Sequence, residues 1–289
     1  MSFESGTLWQ SVRERSEQAI RSGALVNIAT RIELVEQAGV RFLVRVLESI
    51  DRKLVAGLMQ EETGVNPFLP YDEDVFVATI SDSHVCLLNK FNVVEHHVLL
   101  VTRVFEDQDT LLTQRDFAAM WICLREFDGL AFYNAGTLAG ASQPHKHLQQ
   151  VPVPFGPGPE RVPIEPLIAR AQFTGRWGTV PEFPFVHILT RISELARLTA
   201  LEAGRATQSI YTEMLEATGV TGPYNLLATK DWMFLVPRSK EACDHISVNA
   251  LGFAGSLLVH NEEELQRVSR GGPLAILEQV GVSRSGTQS

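Results

Sequence analysis

The sequence predicts an α+β protein in which short strands gather into one sheet and helices flank it. Three observations carry that reading. Short runs rich in β-branched residues recur between Val40 and Thr102, as strands require. Residues 8–22 and 113–127 bracket those runs with apolar residues at helical spacing. Tyr224-Asn-Leu-Leu-Ala-Thr229 and Trp232-Met-Phe-Leu-Val-Pro237 stand two residues apart and read as a hairpin.

In chain order, an N-terminal helix over residues 8–22 is closed by Ser22-Gly23. Val40-Arg-Phe-Leu-Val-Arg-Val-Leu suits a strand, and the basic pair Arg52-Lys53 follows shortly. Asn66-Pro-Phe-Leu-Pro70 forces extended or turning backbone, because proline fixes its own φ and restricts the residue before it. Strands over residues 75–81, 85–89 and 98–102 should pair in one sheet; the last is apolar throughout, as a strand buried on both faces would be. The helix over 113–127 has Thr113 as its cap and Asp116 in the first turn, where a negative charge suits the helix dipole. A strand over 130–134 leads into a glycine-bearing loop.

Val151-Pro-Val-Pro-Phe-Gly-Pro-Gly-Pro159 excludes helix and marks a boundary, dividing the chain into residues 1–160 and 161–289. Beyond it, residues 188–219 read as one or two helices and residues 262–280 as helix. A weak internal echo sets Leu87-Leu-Asn-Lys90 and Leu99-Leu-Val-Thr-Arg103 against Leu226-Leu-Ala-Thr-Lys230 and Phe234-Leu-Val-Pro-Arg238. It points to a degenerate duplication in which one half kept an active site.

Composition narrows the function classes. Hydrophobic residues make up 45% and charged residues 20% of 289, the balance of an ordinary globular protein of one large or two closely joined units. A formal charge of −9 argues against coating a nucleic acid backbone, which needs clustered cations. A small polyanion needs only a few local cations and oriented amides, so a nucleotide is compatible with an acidic total. Cys86, Cys123 and Cys243 stand too far apart for a zinc or dithiol motif. No basic segment precedes an apolar run at the N-terminus, and no window nears the roughly 20 apolar residues of a membrane span. A cytoplasmic protein with no membrane partner is expected.

The chemistry concentrates in Gly140-Ala-Ser-Gln-Pro-His-Lys-His-Leu-Gln149. If residues 142–150 are extended, side chains alternate, placing Gln143, His145, His147 and Gln149 on one face and Pro144, Lys146, Leu148 and Gln150 on the other. Just before them, Asn134-Ala-Gly136-Thr-Leu-Ala-Gly140-Ala-Ser142 supplies small residues whose amides suit phosphate oxygens, although neither the spacing nor the Lys-Ser or Lys-Thr pair of a Walker loop is present. A His-x-His pair also suits metal ligation, but its neighbours on the face are glutamines and no Asp or Cys lies within the run, so no protein-held metal is expected. The preferred reading is covalent catalysis: the neutral His147 imidazole attacks phosphorus, Gln149 donates to a phosphate oxygen, and either a backbone carbonyl or His145 fixes the imidazole tautomer. Read on residue type alone, Lys53, Lys90 and Lys146 are solvated surface lysines, although each could supply positive charge to a polyphosphate.

These residues resemble the active-site signature of the diadenosine tetraphosphate phosphorylases, or ATP adenylyltransferases, in the histidine triad and galactose-1-phosphate uridylyltransferase-like superfamily. Further matches are Leu88-Asn-Lys-Phe91, Glu95-His-His-Val-Leu-Leu-Val-Thr102, Tyr224-Asn-Leu-Leu, Asp231-Trp, Val236-Pro-Arg-Ser239 and Val248-Asn-Ala-Leu-Gly-Phe-Ala-Gly255, so the resemblance spans residues 40–260. It implies a histidine-triad-like α+β fold with a mainly antiparallel sheet, a catalytic part in residues 1–160 and a part in residues 161–289 that completes the nucleotide site. It also implies phosphorolysis of dinucleoside polyphosphates by phosphate to ADP and ATP, a divalent cation such as Mg2+ bound with the substrate phosphates, and a monomer or homodimer. His147 would be the nucleophile, with Gln149 and His145 beside it. Substrate contacts carry over to Lys53, Asn89, Lys90, Asn134, Gly140, Ala141, Ser142, Gln143 and Gln149, and to Asn249, Ala250 and Leu251; Ser256 and His260 depart from the Met and Lys common in the family.

Gln149 separates transfer from hydrolysis. The superfamily's hydrolases carry a third histidine there, which holds a proton for a leaving group; an amide does not do so near neutral pH. The competing enzymatic reading is a sugar-1-phosphate nucleotidyltransferase, with ADP sulfurylase as a side activity of the main one.

Overall fold

The computed structural model describes residues 3–48 and 66–284. Lys53 and the pair Arg52-Lys53 lie outside them.

The chain begins with α1 (Leu8–Ser22), which ends at Gly23 in the left-handed region. Next come β1 (Val26–Asn27), β2 (Thr30–Gln37), β3 (Val40–Leu47), β4 (Phe76–Thr79), β5 (His84–Leu88), β6 (Phe91–Asn92) and β7 (Val98–Thr102). Helix α2 (Gln114–Glu126) separates them from β8 (Gly129–Ala135) and β9 (His147–Pro152). The short α3 (Glu165–Ile168) precedes β10 (Gln172–Thr174), β11 (Trp177–Thr179) and β12 (Ile188–Arg191). Helix α4 (Ala200–Thr218) then leads to the hairpin β13 (Tyr224–Ala228) and β14 (Trp232–Pro237). The chain closes with β15 (Ala242–Cys243), β16 (Ile246–Ser247), α5 (Ala250–Phe253), β17 (Ser256–Val259), α6 (Glu262–Gly271) and α7 (Pro273–Val280).

Ten strands form one antiparallel sheet in the order β10-β11-β12-β14-β13-β8-β9-β7-β5-β4. Helices α1, α2 and α4 cover one face. Of these, α2 and α4 open on capping boxes, Thr113 with Asp116 and Thr199 with Glu202, which satisfy amides that a helix start leaves unpaired. Their approach is close enough that a Cβ on Gly204 would lie 2.6 Å from the Gln114 carbonyl oxygen. Trp121, fully buried between them, donates its indole N–H to Thr207 Oγ1 at 2.8 Å, so its apolar area is removed from water without orphaning a donor. Over the other face lies a second layer, the three-stranded sheet β17-β3-β2 together with α5, α6 and α7. Leu130, Phe132, Leu227 and Phe234 of the large sheet pack there with Phe42, Phe253 and Leu277. Among the described residues no helix is long and apolar enough to cross a membrane.

Several expectations shift. Residues 188–191 form a strand against β14, not the start of a helix; Ile188, Ile192 and Leu195 fall at helical spacing, but a 3-10 helix begins only at Ser193 and α-helix only after the Thr199 cap. The helix expected over 262–280 breaks at Gly272-Pro273, since proline takes the first position of α7. Strand β2 has no counterpart in the sequence reading: it turns into β3 through Ala38 and Gly39, both at positive φ, the geometry a tight hairpin requires.

The duplication is visible, with different partners from those in the sequence echo. From each edge to the central seam the strands run β4-β5-β7-β9-β8 and β10-β11-β12-β14-β13. Both halves follow the same chain order, each with its long helix before the strand at the seam. Strand β13 therefore corresponds to β8 and β14 to β9. The echo equated β13 and β14 with β5 and β7.

Candidate active site

Strand β9 sits between β8 and β7, with Gln149 opposite Leu99 and His147 opposite Val101. Alternation sends Leu148 into the core under α2, and the Gln150 amide lies within 3.4 Å of the Cys123 carbonyl on that side. His147 and Gln149 face the opposite way, into a cavity of about 420 Å³, a size typical of small-molecule sites.

The nucleophile candidate is held from three directions. His147 Nδ1 lies 2.8 Å from the carbonyl oxygen of His145. A carbonyl only accepts, so Nδ1 carries the proton and Nε2 keeps its lone pair. The carbonyl, not the His145 ring, thus fixes the tautomer. The backbone N–H of His147 donates to Gln108 Oε1 at 2.8 Å. Gln108 Nε2 donates in turn to the Asn134 carbonyl at 2.9 Å, tying β9 to β8 where the two strands separate. Phe68 places its ring 5.3 Å from that of His147, at an interplanar angle of 60°. Burial pushes the His147 imidazole down to about 4, so it is neutral throughout the physiological range.

His145 is fully buried and its ring is committed to protein. Its Nε2 donates to the Thr102 carbonyl at 2.8 Å, and Asn66 Nδ2 stands 3.0 Å from Nδ1. Lys146 corrects an expectation. Its side chain is 1% exposed and reaches away from the cavity to Glu106 at 2.8 Å and towards Asp116 at 3.8 Å. Burial alone would raise the Asp116 carboxyl, yet the bond from His84 and the field of Lys146 hold it below the usual carboxylate value. The alternation that aims His147 at the cavity aims Lys146 at the opposite face, so it supplies no charge to a polyphosphate there.

Asn89 and Lys90 line the cavity beside His147, with the Lys90 ammonium 2.8 Å from Asp72. Asn134 lines it from β8; its Oδ1 accepts from Asn225 Nδ2 at 2.8 Å and from the Ala250 N–H at 3.0 Å. Gly140, Ser142 and Gln143 come from the loop between β8 and β9, and Asn249 and Leu251 from the start of α5. Gly140 has φ +86, and a Cβ there would lie 2.8 Å from the Asn249 Cβ and 2.9 Å from the Val248 oxygen. Only glycine lets the two loops meet. Ala141 and Ala250 contribute backbone: the Ala141 N–H donates to the Gly136 carbonyl, and the Ala250 N–H to Asn134.

The C-terminal motifs build this meeting point. Arg238 is 4% exposed and donates to Asn225 Oδ1 at 2.6 Å, to the Val248 carbonyl at 2.7 Å and to the Ala139 carbonyl at 3.2 Å. The β13 asparagine, the glycine loop and the approach to α5 are therefore fixed by one guanidinium whose planar fork suits several acceptors at once.

Sequence reasoning missed Gln108, Phe68, Arg45 and His97. Arg45 is buried against Ser256 Oγ at 3.2 Å and the Phe155 carbonyl. Nothing local marks Gln108, whose partner His147 is 39 residues away. Phe68 lay within a segment recognised only for its prolines.

Among the described residues no group of three or more His, Cys, Asp or Glu side chains could hold a metal ion.

Residues 1–170 match the Ap4A phosphorylase N-terminal domain, and residues 181–283 match the ATP adenylyltransferase C-terminal domain. Diadenosine 5',5'''-P1,P4-tetraphosphate phosphorylase 2 of Saccharomyces cerevisiae is 28% identical over 298 residues, covering 91% of this chain and 90% of that protein. Protein APA1 of the same yeast is 26% identical over 289 residues, covering 89% and 88%. The crystal structure of yeast Ap4A phosphorylase Apa2 in complex with Ap4A superposes with a TM-score of 0.81 at 24% identity, over 98% of this chain and 99% of that one. The AMP complex of Apa2 gives 0.77 at 25% identity, over 99% of each. With the first domain alone spanning more than half of its length, the chain belongs to the Ap4A phosphorylase family and is an enzyme of the ATP adenylyltransferase type.

Proposed function

We propose that the chain catalyses phosphorolysis of diadenosine tetraphosphate and related dinucleoside polyphosphates through a covalent nucleotidyl-His147 intermediate. The observation that carries this reading is the Nδ1–H bond from His147 to the His145 carbonyl, which leaves Nε2 as an unprotonated nucleophile in the cavity. Nε2 attacks the α-phosphorus, the bond from that phosphorus to its bridging oxygen breaks, and ATP departs. Positive charge developing on the imidazole is stabilised by the carbonyl at Nδ1. An oxygen of inorganic phosphate then attacks the same phosphorus, the N–P bond breaks, and ADP leaves with the imidazole restored. Gln149 lines the same cavity and offers an amide that donates to the phosphoryl oxygens without supplying a proton for hydrolysis.

Residues 1–160 carry the chemistry in this reading, and residues 161–289 complete the site through Asn249 and Leu251. His145 acts by position, through its carbonyl. A divalent cation would enter bound to the substrate phosphates; EDTA should then abolish turnover and Mg2+ restore it. The Ap4A and AMP complexes of the yeast phosphorylase support the substrate class.

Purified protein with diadenosine tetraphosphate and phosphate should yield ADP and ATP in equal amounts. Release of AMP with no need for phosphate overturns the reading, as does exchange of hexose phosphates with uridine diphosphate sugars.

A further inference from the structure

His97 stands next to the catalytic strand and takes no part in the reaction as described so far. It is 6% exposed, lines the cavity and lies against the Phe132 ring. Its hydrogen bonds define where its proton must be. The backbone N–H of Phe91 donates to Asn89 Oδ1 at 3.3 Å, which turns the Asn89 NH2 group towards His97 Nδ1, 3.1 Å away. An amide NH2 only donates, so Nδ1 is the acceptor and the neutral ring carries its hydrogen on Nε2. Nε2 is buried without a well-formed hydrogen bond, its polar neighbour being the Gln149 side chain. A buried donor left poorly satisfied is costly, and burial also drives the imidazole down to about 4, with a side-chain hydrogen bond to Gln149 opposing that shift and His147 reinforcing it.

We infer that His97 is a positioning residue for the transfer: with substrate bound, its Nε2–H donates to the Gln149 side-chain oxygen and thereby turns the Gln149 NH2 towards the phosphoryl group that His147 attacks. A glutamine amide is nearly symmetric in shape, so shape alone does not set which end is oxygen and which is nitrogen. A fixed donor on one side does. Asn89 then serves the site indirectly, by setting the His97 tautomer, and the chain Phe91, Asn89, His97, Gln149 relays one orientation from backbone to substrate.

This inference rests on the phosphorolytic reading, so wild-type turnover of diadenosine tetraphosphate is measured first. His97→Met fills the volume without a donor and should lower kcat about 10- to 100-fold with KM changed less than about threefold, as expected when an interaction made in the transition state is lost. His97→Gln places an amide NH2 near the site of Nε2 and should recover most of that loss, a rescue that a packing role would not give. Gln149→Ala should show the same kcat defect, and the His97→Met/Gln149→Ala double variant should fall no further than the worse single one. Defects that multiply, or full activity in His97→Met, overturn the inference and leave the reaction standing. A readout independent of turnover is the Gln149 side-chain amide by NMR with AMP bound, assigned by its loss in Gln149→Ala. In the wild type its two protons should be resolved and protected from exchange, and in His97→Met they should move to free-glutamine positions; unchanged signals overturn the inference even in a protein that turns nothing over.

Discussion

His147 Nδ1 and the His145 carbonyl oxygen stand 2.8 Å apart, while the His145 ring is turned away and bound to Thr102 and Asn66. The two histidines of the motif therefore contribute different atoms, one a ring nitrogen and the other a backbone oxygen. His147→Ala should reduce turnover by at least about 10⁴-fold and abolish the acid-labile nucleotidyl adduct, as removal of a nucleophile does. His145→Ala keeps the carbonyl and should cost only about 10-fold. Labelling with radioactive diadenosine tetraphosphate followed by acid treatment reads both, and full adduct in His147→Ala rejects the nucleophile.

Gln108 is buried and joins the His147 N–H to the Asn134 carbonyl. Gln108→Leu leaves both groups buried without a partner, at about 1–3 kcal/mol each in unfolding free energy. Urea unfolding should show a lower midpoint with an unchanged slope, together with weaker turnover. An unaltered midpoint would mean that the two strands stay joined without it.

The contact between Gly140 and Asn249 leaves no room for a methyl group. Gly140→Ala puts a Cβ 2.8 Å from Asn249 at a φ of +86, a combination that costs about 1–3 kcal/mol in backbone strain before any steric term. The variant should fold less stably and raise KM for the dinucleotide, because the Asn249 loop must retreat from the cavity. A KM equal to that of the wild type shows that the loop retreats without loss of binding.

Acid should destabilise the fold through buried imidazoles. Burial lowers His97, His147 and His187 from 6.5 to about 4. The folded chain thus holds them neutral where the unfolded chain has taken up protons, so the unfolded state binds more protons between those values and stability falls as pH falls through the interval. The slope is up to about 1.4 kcal/mol per pH unit for each histidine. Melting temperatures should drop between pH 6.5 and 4.5, and His187→Leu should flatten the decline. A flat profile in the wild type contradicts it.

What the sequence disclosed was mostly local. Helix α1 matches the expected bounds because Gly23 terminates it at the residue read as a stop, and β7 does so because an apolar run admits few alternatives. The face shared by His147 and Gln149 followed from alternation alone. Misreadings arose where a distant partner decided the outcome. β12 is a strand because it pairs with β14, and Lys146 has a charge that suits a polyphosphate although alternation places it opposite His147. Gln108 and His97 acquire their roles from residues brought together only by the folded sheet, and no spacing in the chain announces them.

The seam between β8 and β13 joins two halves built to one plan, of which one carries the candidate nucleophile and the other, on β14, has only apolar residues where strand β9 carries His147. Asn225 and Arg238 on the silent side nonetheless decide where Asn134, the glycine loop and Asn249 stand. Tolerance to mutation will therefore not follow proximity to chemistry. The half without a histidine on its corresponding strand is as constrained at those two positions as the half that has one, and a library scored for turnover should find inactive variants clustered on both sides of the seam.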